Sequence, residues 1–460
     1  MLNFNNPTSI MKKIIVFFFF YMIFEGVVRK WILPNLSTQI YFVKDILLIL
    51  IYIIGLKYNL IFTSYYSKIL IFIVIIVSLF GFVGYRFDAN GIISYLLGLR
   101  SYWIFLPLLL IISHIFNKDD LIKFLKLNLY FVIPYFLLVY LQSILPESSF
   151  LNSGYDGNIL SPERPSAFFT YTTQNTYYFL FLFFSLFSCI LDKKEILIKD
   201  MIYLTFLNLL LISIMILLKS RAVYFYVFVT VFYSAFFLIF SNLDYYLKLK
   251  KIFLISFTFI IFIISSNLLF EKAYKHSVVR MNTDQPKEYD FVLENKNKQI
   301  KFLFFASKEK ETVQEFCAKY STICRIINDL YILPAVRNSN LFGEGIGAGT
   351  KPVVVFNKIK KSFFLGEIDN KRIIMELGYS TGLVLVISKW ILVIILNVFA
   401  LFKFRDKNKL IYIPLLLFVS TQLMLGTVSY TVSFVSFIFW VSLGLLFTSF
   451  NKKNKNLLKL

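Results

Sequence analysis

The residues that could do chemistry gather where the long polar segment of the chain ends. Four glycines alternate in LFGEGIGAG, between Leu341 and Gly349, and Asp369, Arg372 and Glu376 follow at the start of the next apolar run. Arg372 and Glu376 are four positions apart, so they can pair on one helix face. A carboxylate within hydrogen-bond reach of a hydroxyl can take its proton. The pattern therefore offers Asp369 or Glu376 as a general base, with a salt bridge to Arg372 as the alternative role for Glu376.

The alternating glycines do not form a nucleotide-binding motif. Their spacing matches neither GxGxxG after a strand nor a Walker loop, and it suits tight turns and close backbone approach instead. Histidine and cysteine are scarce, since the chain has two histidines, His114 and His276, and three cysteines. The sequence therefore indicates no metal-ligand cluster, and we expect no metal or cofactor.

Composition places these residues in a membrane protein. The chain has 460 residues, 58% of them hydrophobic and 19% aromatic, and its mean hydropathy is +0.72. Soluble domains have about 45–50% apolar residues, whereas repeated apolar runs of about 20 residues predict an all-α polytopic membrane protein. We expect about twelve spans, at 14–28, 40–56, 69–84, 92–115, 129–146, 177–191, 200–218, 222–240, 252–270, 373–400, 410–427 and 430–449.

The positive charges predict how the chain is oriented. Lysines crowd every second loop and both ends, which by the positive-inside rule places both termini in the cytoplasm. The net charge of +22 then reflects topology and not nucleic-acid binding. The first apolar run is expected to stay as a helix, because no small-residue cleavage site follows it. The organisation is nine spans in 1–270, a large, partly helical extracytoplasmic loop in 271–372, and three spans with a basic cytoplasmic tail in 373–460.

Arginine is distributed differently from lysine. Of ten arginines, only Arg405 falls in a predicted cytoplasmic loop. A guanidinium group is a rigid, always-charged fork that pairs bidentately with phosphate. The other nine arginines therefore suggest an outward-facing site for a phosphate or pyrophosphate, although capping of helix ends or snorkelling to headgroups is the alternative.

Other charged residues lie inside or beside the first spans. Glu25 and Arg29 are four positions apart, and Lys44 and Asp45 occur together in the second span. Ionisable groups at such depths are expensive and usually face a protein interior. We expect these four residues to lock the first hairpin or to act in the site directly. Arg100, in the fourth span, must find an anion or a carboxylate.

Four segments occur in a fixed order along the chain. They are LRSYWIFLPL, ERPSAFF after a short outer loop, KSRAVYF at an outer turn, and RIINDLY…LFGEGIGAG…DNKRIIMELGYSTGL. In order and topology they resemble the O-antigen ligase and O-antigen polymerase (Wzy-type) superfamily of bacterial envelope enzymes, over about residues 90–390. The opening FEGVVRKWILP…VKD is similar to the start of a subgroup of polymerase-like proteins.

The resemblance implies a GT-C-like fold and a metal-independent, inverting glycosyltransferase in the bacterial inner (cytoplasmic) membrane. Its donor would be an oligosaccharide on undecaprenyl pyrophosphate, and the lipid pyrophosphate would be the leaving group. Arg164, Arg221 and Arg325 match arginines that the family is proposed to place on that pyrophosphate, with Arg100 as a fourth. Membrane lipids, a flippase and a chain-length regulator would be further partners, and no nucleic acid is expected.

One departure from the family pattern bears on the reaction. Ligases of this family carry a His-Asn pair near the end of the large loop, and Asp369-Asn370 stands at the matching position here. The missing histidine favours a polymerase that joins lipid-linked repeat units of an O-antigen, capsule or exopolysaccharide. A ligase that transfers the lipid-linked glycan to another acceptor is the second reading, and a lipid-glycan flippase or transporter is the third.

Overall fold

The chain folds as a bundle of helices. The computed structural model describes residues 7–62, 65–85, 89–154, 164–192, 197–268, 330–350, 353, 369–406, 409–425 and 433–449. In these ranges the secondary structure consists of helices without β-strands. Most of the large loop, which was expected to be partly helical, lies outside the described residues.

The N-terminal half of the bundle contains seven helices and two short 3₁₀ turns among its described residues. Its helices are α1 (Pro7–Val27), α2 (Ser37–Lys57), α3 (Tyr65–Val83), α4 (Ala89–Trp103), α5 (Leu106–Ile115), α6 (Lys118–Leu129) and α7 (Val132–Ile144). A π-helical turn, Val28–Ile32, extends α1, and the 3₁₀ turn Pro34–Leu36 leads into α2. The second 3₁₀ turn, Phe150–Asn152, follows α7.

The described residues of the second half add nine helices. They are α8 (Thr172–Asp192), α9 (Ile198–Leu218), α10 (Arg221–Ile239), α11 (Tyr245–Leu268), α12 (Leu333–Asn338), α13 (Asp369–Leu377), α14 (Leu383–Lys403), α15 (Tyr412–Leu425) and α16 (Ser433–Phe447). A π-helical turn, Gly378–Gly382, joins α13 to α14.

Helix length and composition make this a multi-pass membrane protein. Seven helical stretches in the described residues are long and apolar enough to cross a membrane. They are Pro34–Lys57, Gly91–Ile115, Lys118–Ile144, Thr172–Asp192, Lys199–Leu218, Ala222–Ile239 and Asp369–Lys403. Every predicted apolar run coincides with a described helix or helix pair, while the count of twelve spans stays a prediction.

The start of α6 differs from the sequence prediction, and a break between α4 and α5 refines it. A loop was expected after residue 115, but α6 begins at Lys118, so that expectation was wrong for 118–128. Asn117 and Asp120 form a capping box with bonds of 2.9 and 3.0 Å, which satisfies two backbone N–H groups at the helix start. The helix break before Pro107 is the second feature: α4 ends at Trp103 and α5 restarts with proline in its first turn, where the missing N–H costs nothing.

The centre of the bundle is α8. Its residues from Tyr178 to Leu191 are all buried, and it packs against α6, α9 and α15. Aromatic contacts fill the space around it, such as Phe19–Phe181 at 5.4 Å and Phe184–Phe418 at 5.2 Å between ring centroids. By contrast, α2 exposes a long apolar face, as a helix in contact with lipid would.

Lysine side chains connect several helix ends at one end of the bundle. Lys12 on α1 pairs with Asp120 at 2.7 Å, and Lys118 pairs with Asp192 at the end of α8 at 2.6 Å. Lys251 on α11 donates to the Leu191 carbonyl oxygen at 2.7 Å. Since Lys12 and Glu25 lie on opposite ends of α1, the residues singled out for chemistry lie away from this lysine-rich end.

Candidate functional site

The glycine-rich loop, residues 341–350, folds onto the helix that carries Glu376. Gly343, Gly345 and Gly347 have φ values of 70°, 104° and 78°, which side chains with a Cβ atom rarely adopt. The Gly345 N–H donates to the backbone carbonyl oxygen of Glu376 at 2.9 Å. The tight turns expected from the glycine spacing are therefore present, and they attach the loop to α13.

The other side of this loop lies against the hairpin of α3 and α4. The Ile346 N–H donates to the Gly81 carbonyl oxygen at 3.0 Å. A Cβ atom on Gly98 would lie 1.9 Å from the Ile346 carbonyl oxygen, and one on Gly84 would lie 2.4 Å from the Gly345 nitrogen. Close backbone approach therefore requires glycine on both sides of the contact.

Glu376 holds this arrangement together. It is completely buried, and its carboxylate accepts from the N–H groups of Gly347 at 3.1 Å and Gly349 at 2.9 Å. The Tyr102 hydroxyl donates to the same carboxylate, and the Arg372 Nε lies 3.6 Å from Oε1. These five residues form the Glu376 cluster. Because both carboxylate oxygens are occupied, the geometry favours a structural role for Glu376 over that of a general base.

The start of α13 is tied to the neighbouring helices. Asp369 is 1% exposed and accepts from Arg372 Nη2 at 2.7 Å. Asn370 donates to the Met424 carbonyl oxygen at 3.0 Å, and its own Oδ1 accepts from Lys389 Nζ at 3.0 Å. The Asp369-Asn370 pair therefore connects α13 with α14 and the end of α15, and Asp369, like Glu376, is enclosed.

A second buried group of charges, the Tyr41 cluster, connects α1, α2 and α4. Its members are Glu25, Arg29, Tyr41, Lys44, Asp45 and Arg100. Glu25 Oε1 accepts from Arg29 Nη1 at 3.2 Å and from Lys44 Nζ at 3.4 Å. All three residues are less than a tenth exposed. The expected Glu25–Arg29 pair is therefore formed, and Lys44 joins it from α2.

Arg100 finds its partner within the same cluster. Asp45 Oδ2 accepts from Arg100 Nε at 2.9 Å and lies 2.8 Å from Nη2. The guanidinium carbons of Arg100 and Arg29 each lie 5.1 Å from the centroid of the Tyr41 ring, within the range of cation–π attraction. The carboxylate that the sequence required near Arg100 is thus Asp45, 55 positions earlier.

Lys30 attaches the loop after α7 to the end of α1. It lies beyond the first apolar run, is 3% exposed, and donates to Ser166 Oγ at 3.0 Å and to the Ala167 carbonyl oxygen at 2.7 Å. Burial lowers the pKa of Lys30 to about 7. Gly26 adds a close contact, since a Cβ atom there would lie 2.2 Å from the Phe168 carbonyl oxygen. These contacts fix the segment that begins at Arg164.

The four arginines predicted to bind pyrophosphate have different positions. Arg100 is paired inside the bundle, and Arg164 is exposed two residues before Ser166. Arg221 is the first residue of α10, but its side chain lies outside the described residues, as does all of Arg325. A joint pyrophosphate site therefore stays a prediction.

Several residues in or near these clusters were not singled out from the sequence. Lys389 had a clear signal, because it interrupts the apolar run LVLVISKWILVII and an ionisable residue in a membrane helix usually has a function or a buried partner. Tyr41 and Tyr102 had none that set them apart from the other tyrosines, of which the chain has 29. Lys30 directly follows Arg29, and nothing in the sequence distinguishes it from that neighbouring charge.

The described residues offer little to a metal ion. Within them, no three His, Cys, Asp or Glu side chains converge as a metal site requires. The charged groups of the two clusters instead pair with each other, with hydroxyls or with backbone groups. What the two clusters present is a set of buried cations, carboxylates and hydroxyls.

Comparison with known proteins does not assign the chain to a family. No family model, curated protein or solved structure matches it. What stands is an all-helical, multi-pass membrane protein with two buried charge clusters away from its lysine-rich end.

Proposed function

We propose that the protein is a polysaccharide polymerase of the bacterial inner membrane. It joins repeat units carried on undecaprenyl pyrophosphate by inverting, metal-independent glycosyl transfer at the outer face. In this proposal the chain crosses the membrane twelve times, both termini are cytoplasmic and the 271–372 loop is outside. The family resemblance of the ordered segments supports the reaction, and the glycine-rich loop would form one wall of the site.

The observation that carries the proposal is the excess of buried positive charge around Tyr41. Arg29, Lys44 and Arg100 lie in the cluster, while Glu25 and Asp45 provide its negative charge among the described residues. Buried cations in a membrane protein are costly unless they serve a pathway or a ligand. Three cations against two carboxylates favour an anionic ligand such as a lipid pyrophosphate.

Transfer requires stabilisation of the leaving group. As the anomeric C–O bond breaks, negative charge develops on the pyrophosphate, and fixed cations would stabilise it in a low-dielectric site. We assign this role to Arg164, Arg221 and Arg325. Arg100, which is held by Asp45, would stabilise the same negative charge from within the bundle.

The test uses a deletion strain complemented with single variants. Arg164→Ala and Arg221→Ala should abolish long glycan chains while membrane insertion and protein level stay normal. Arg405→Ala is the matched control, because Arg405 is exposed beyond α14 and should leave the chains intact. Long polymer from both outer variants would overturn the pyrophosphate site.

The deletion itself separates the alternative functions. Loss of a polymerase leaves single repeat units attached to the final acceptor, whereas loss of a ligase leaves lipid-linked polymer in the membrane. Loss of a flippase would instead keep repeat units on the cytoplasmic leaflet. Electrophoresis of the glycans and extraction of the lipid-linked pool distinguish the three outcomes.

A further inference from the structure

The backbone turn that follows Arg164 is buried although it is not helical. Residues 165–170 are all buried, and the Phe169 N–H donates to the Ser166 carbonyl oxygen at 3.0 Å, which closes the turn. Ala167 has a φ of 48°. This conformation is unfavourable for a residue with a Cβ atom and persists only where the surroundings impose it. Other parts of the chain must therefore hold this turn in place.

Side chains from two helical segments hold both backbone groups of Ala167. Gln142 Oε1, on α7, accepts from the Ala167 N–H at 2.7 Å. Lys30 Nζ, in the π-helical turn that extends α1, donates to the Ala167 carbonyl oxygen at 2.7 Å and to Ser166 Oγ at 3.0 Å. These bonds fix the residue whose φ is unfavourable, so the turn has one defined conformation.

The conformation of the turn is transmitted to Arg164 through Pro165. The proline ring fixes the φ of Pro165 and keeps Arg164 out of the helical region. Asn175 Nδ2, on α8, donates to the Pro165 carbonyl oxygen at 2.7 Å. Few backbone dihedrals are therefore free between Arg164 and the contacts of Lys30. Arg164 itself is exposed, so its backbone is held from inside the bundle while the residue lies at the surface.

A buried lysine is unfavourable at this position unless its charge is needed. Lys30 is 3% exposed, and within the described part of the chain its contacts are the two oxygens of the turn and the Trp31 ring, whose centroid lies 4.4 Å from Nζ. Buried cations in membrane proteins usually serve a function. A charged donor makes hydrogen bonds about twice as strong as those of a neutral one, and strong bonds are useful where the position of the turn matters for chemistry.

We propose that Lys30 is a positioning residue that holds Arg164 against the pyrophosphate of the lipid-linked donor; this rests on the proposed polymerase function. Lys30 is enclosed and does not touch the substrate. Arg164 stabilises the charge that develops on the leaving pyrophosphate, and such a group is effective when it is already in place before the reaction. Because a misplacement of about 1 Å can lower a rate by about a hundredfold, loss of Lys30 acts on the chemical step.

The first experiment measures kcat and KM of purified full-length variants with the lipid-linked repeat units that accumulate in the deletion strain. Lys30→Met should lower kcat by about tenfold or more. KM should stay within about twofold of the wild type, because only a contact made in the transition state is weakened. Lys251→Met is the matched control, since Lys251 is also buried and donates to the Leu191 carbonyl oxygen at 2.7 Å, at the lysine-rich end. Equal kcat values for the two variants would overturn the assignment.

A double-mutant cycle tests whether Lys30 acts through Arg164. The measured quantity is the residual rate at which one linkage forms. In the Arg164→Ala background, Lys30→Met should change this rate by less than about twofold, because the group that Lys30 positions is gone. Losses that multiply in the double variant would mean that Lys30 acts by another route, and the proposal would be wrong.

A second pair of variants keeps the inference testable if Lys30→Met fails to fold. Ser166→Ala removes one of the two acceptors of Lys30 Nζ and should lower kcat about threefold or more, as loss of one hydrogen bond does. Ser185→Ala is its control, because Ser185 is also buried but donates to the Phe181 carbonyl oxygen within α8 at 2.7 Å. The same kcat in both alanine variants would contradict the proposal.

A measurement without catalysis separates failure of this inference from failure of the proposed function. Hydrogen–deuterium exchange in peptides covering residues 164–171 should be about tenfold faster in Lys30→Met than in Lys251→Met, since local opening exposes these amides. If the wild-type protein makes polymer while exchange and kcat of Lys30→Met stay at the wild-type level, the inference fails and the polymerase remains. If the wild-type protein makes no polymer and the deletion strain still makes long chains, the polymerase proposal fails, and the catalytic importance of Lys30 fails with it.

Discussion

Replacing Glu376 by glutamine should open the glycine-rich loop. The side chain keeps its size, but only one of its two terminal atoms can still accept, so the N–H of Gly347 or Gly349 meets an NH₂ group. The charge that faces Arg372 Nε at 3.6 Å is lost as well. The N–H groups of Gly347 and Gly349 both donate to this side chain. The variant would therefore hold the loop by weaker hydrogen bonds at that point.

The size of the effect follows from these contacts. A hydrogen bond to a charged group contributes about 1.5–3 kcal/mol, and an unsatisfied buried donor costs about 1–3 kcal/mol. Loss of one such bond and weakening of the other amount to about 3 kcal/mol, or roughly a hundredfold in the opening equilibrium. Since local opening exposes amides to exchange, peptides covering residues 341–350 should exchange about a hundredfold faster.

Hydrogen–deuterium exchange of the full-length protein in detergent or nanodiscs measures this directly. Glu344→Gln is the matched control, because Glu344 is an exposed carboxylate of the same loop and its replacement should leave exchange unchanged. Equal exchange in the two variants would refute the view that Glu376 holds the loop. Slower exchange in Glu376→Gln would refute it as well.

Two further perturbations address the packing around these clusters. Gly98→Ala should lower the free energy of unfolding by about 2 kcal/mol or displace the loop, since the new Cβ would lie 1.9 Å from a backbone oxygen. Gly444→Ala should cost less, because its Cβ would lie 3.0 Å from the Ile112 side chain, and equal melting temperatures would contradict this reasoning. Lys389→Met should lower the free energy of unfolding by about 1–3 kcal/mol, because it leaves Asn370 Oδ1 without its donor. In a double-mutant cycle with Asn370→Leu the two losses should not add, and additive losses would rule out the contact.

Local patterns predicted the helices well. The apolar runs coincide with described helices, because a helix that crosses the hydrocarbon core needs about 20 apolar residues in succession. The prediction failed at 118–128, where positive charge was read as a loop. The buried face of α6, with Leu121, Phe124, Leu125 and Leu129, has the spacing of an amphipathic helix, so its periodicity was the better guide.

The site was predicted only in part. Glu25–Arg29 and Arg372–Glu376 are each four positions apart along one helical segment, and their spacing alone brings each pair within reach. The glycines indicated close backbone approach, but not what approaches them. Gly81, Gly84 and Gly98 make room for the 341–350 loop, and nothing in their local sequence names that partner.

By itself, then, the sequence determined the membrane class and most of the helices, because these depend on local composition and period. Tertiary structure decided which charges meet. It pairs Asp45 with Arg100 and brings Tyr102 to Glu376 across 274 positions. Such choices follow from how helices pack in three dimensions, and the helical period of one segment carries no information about the partner of another.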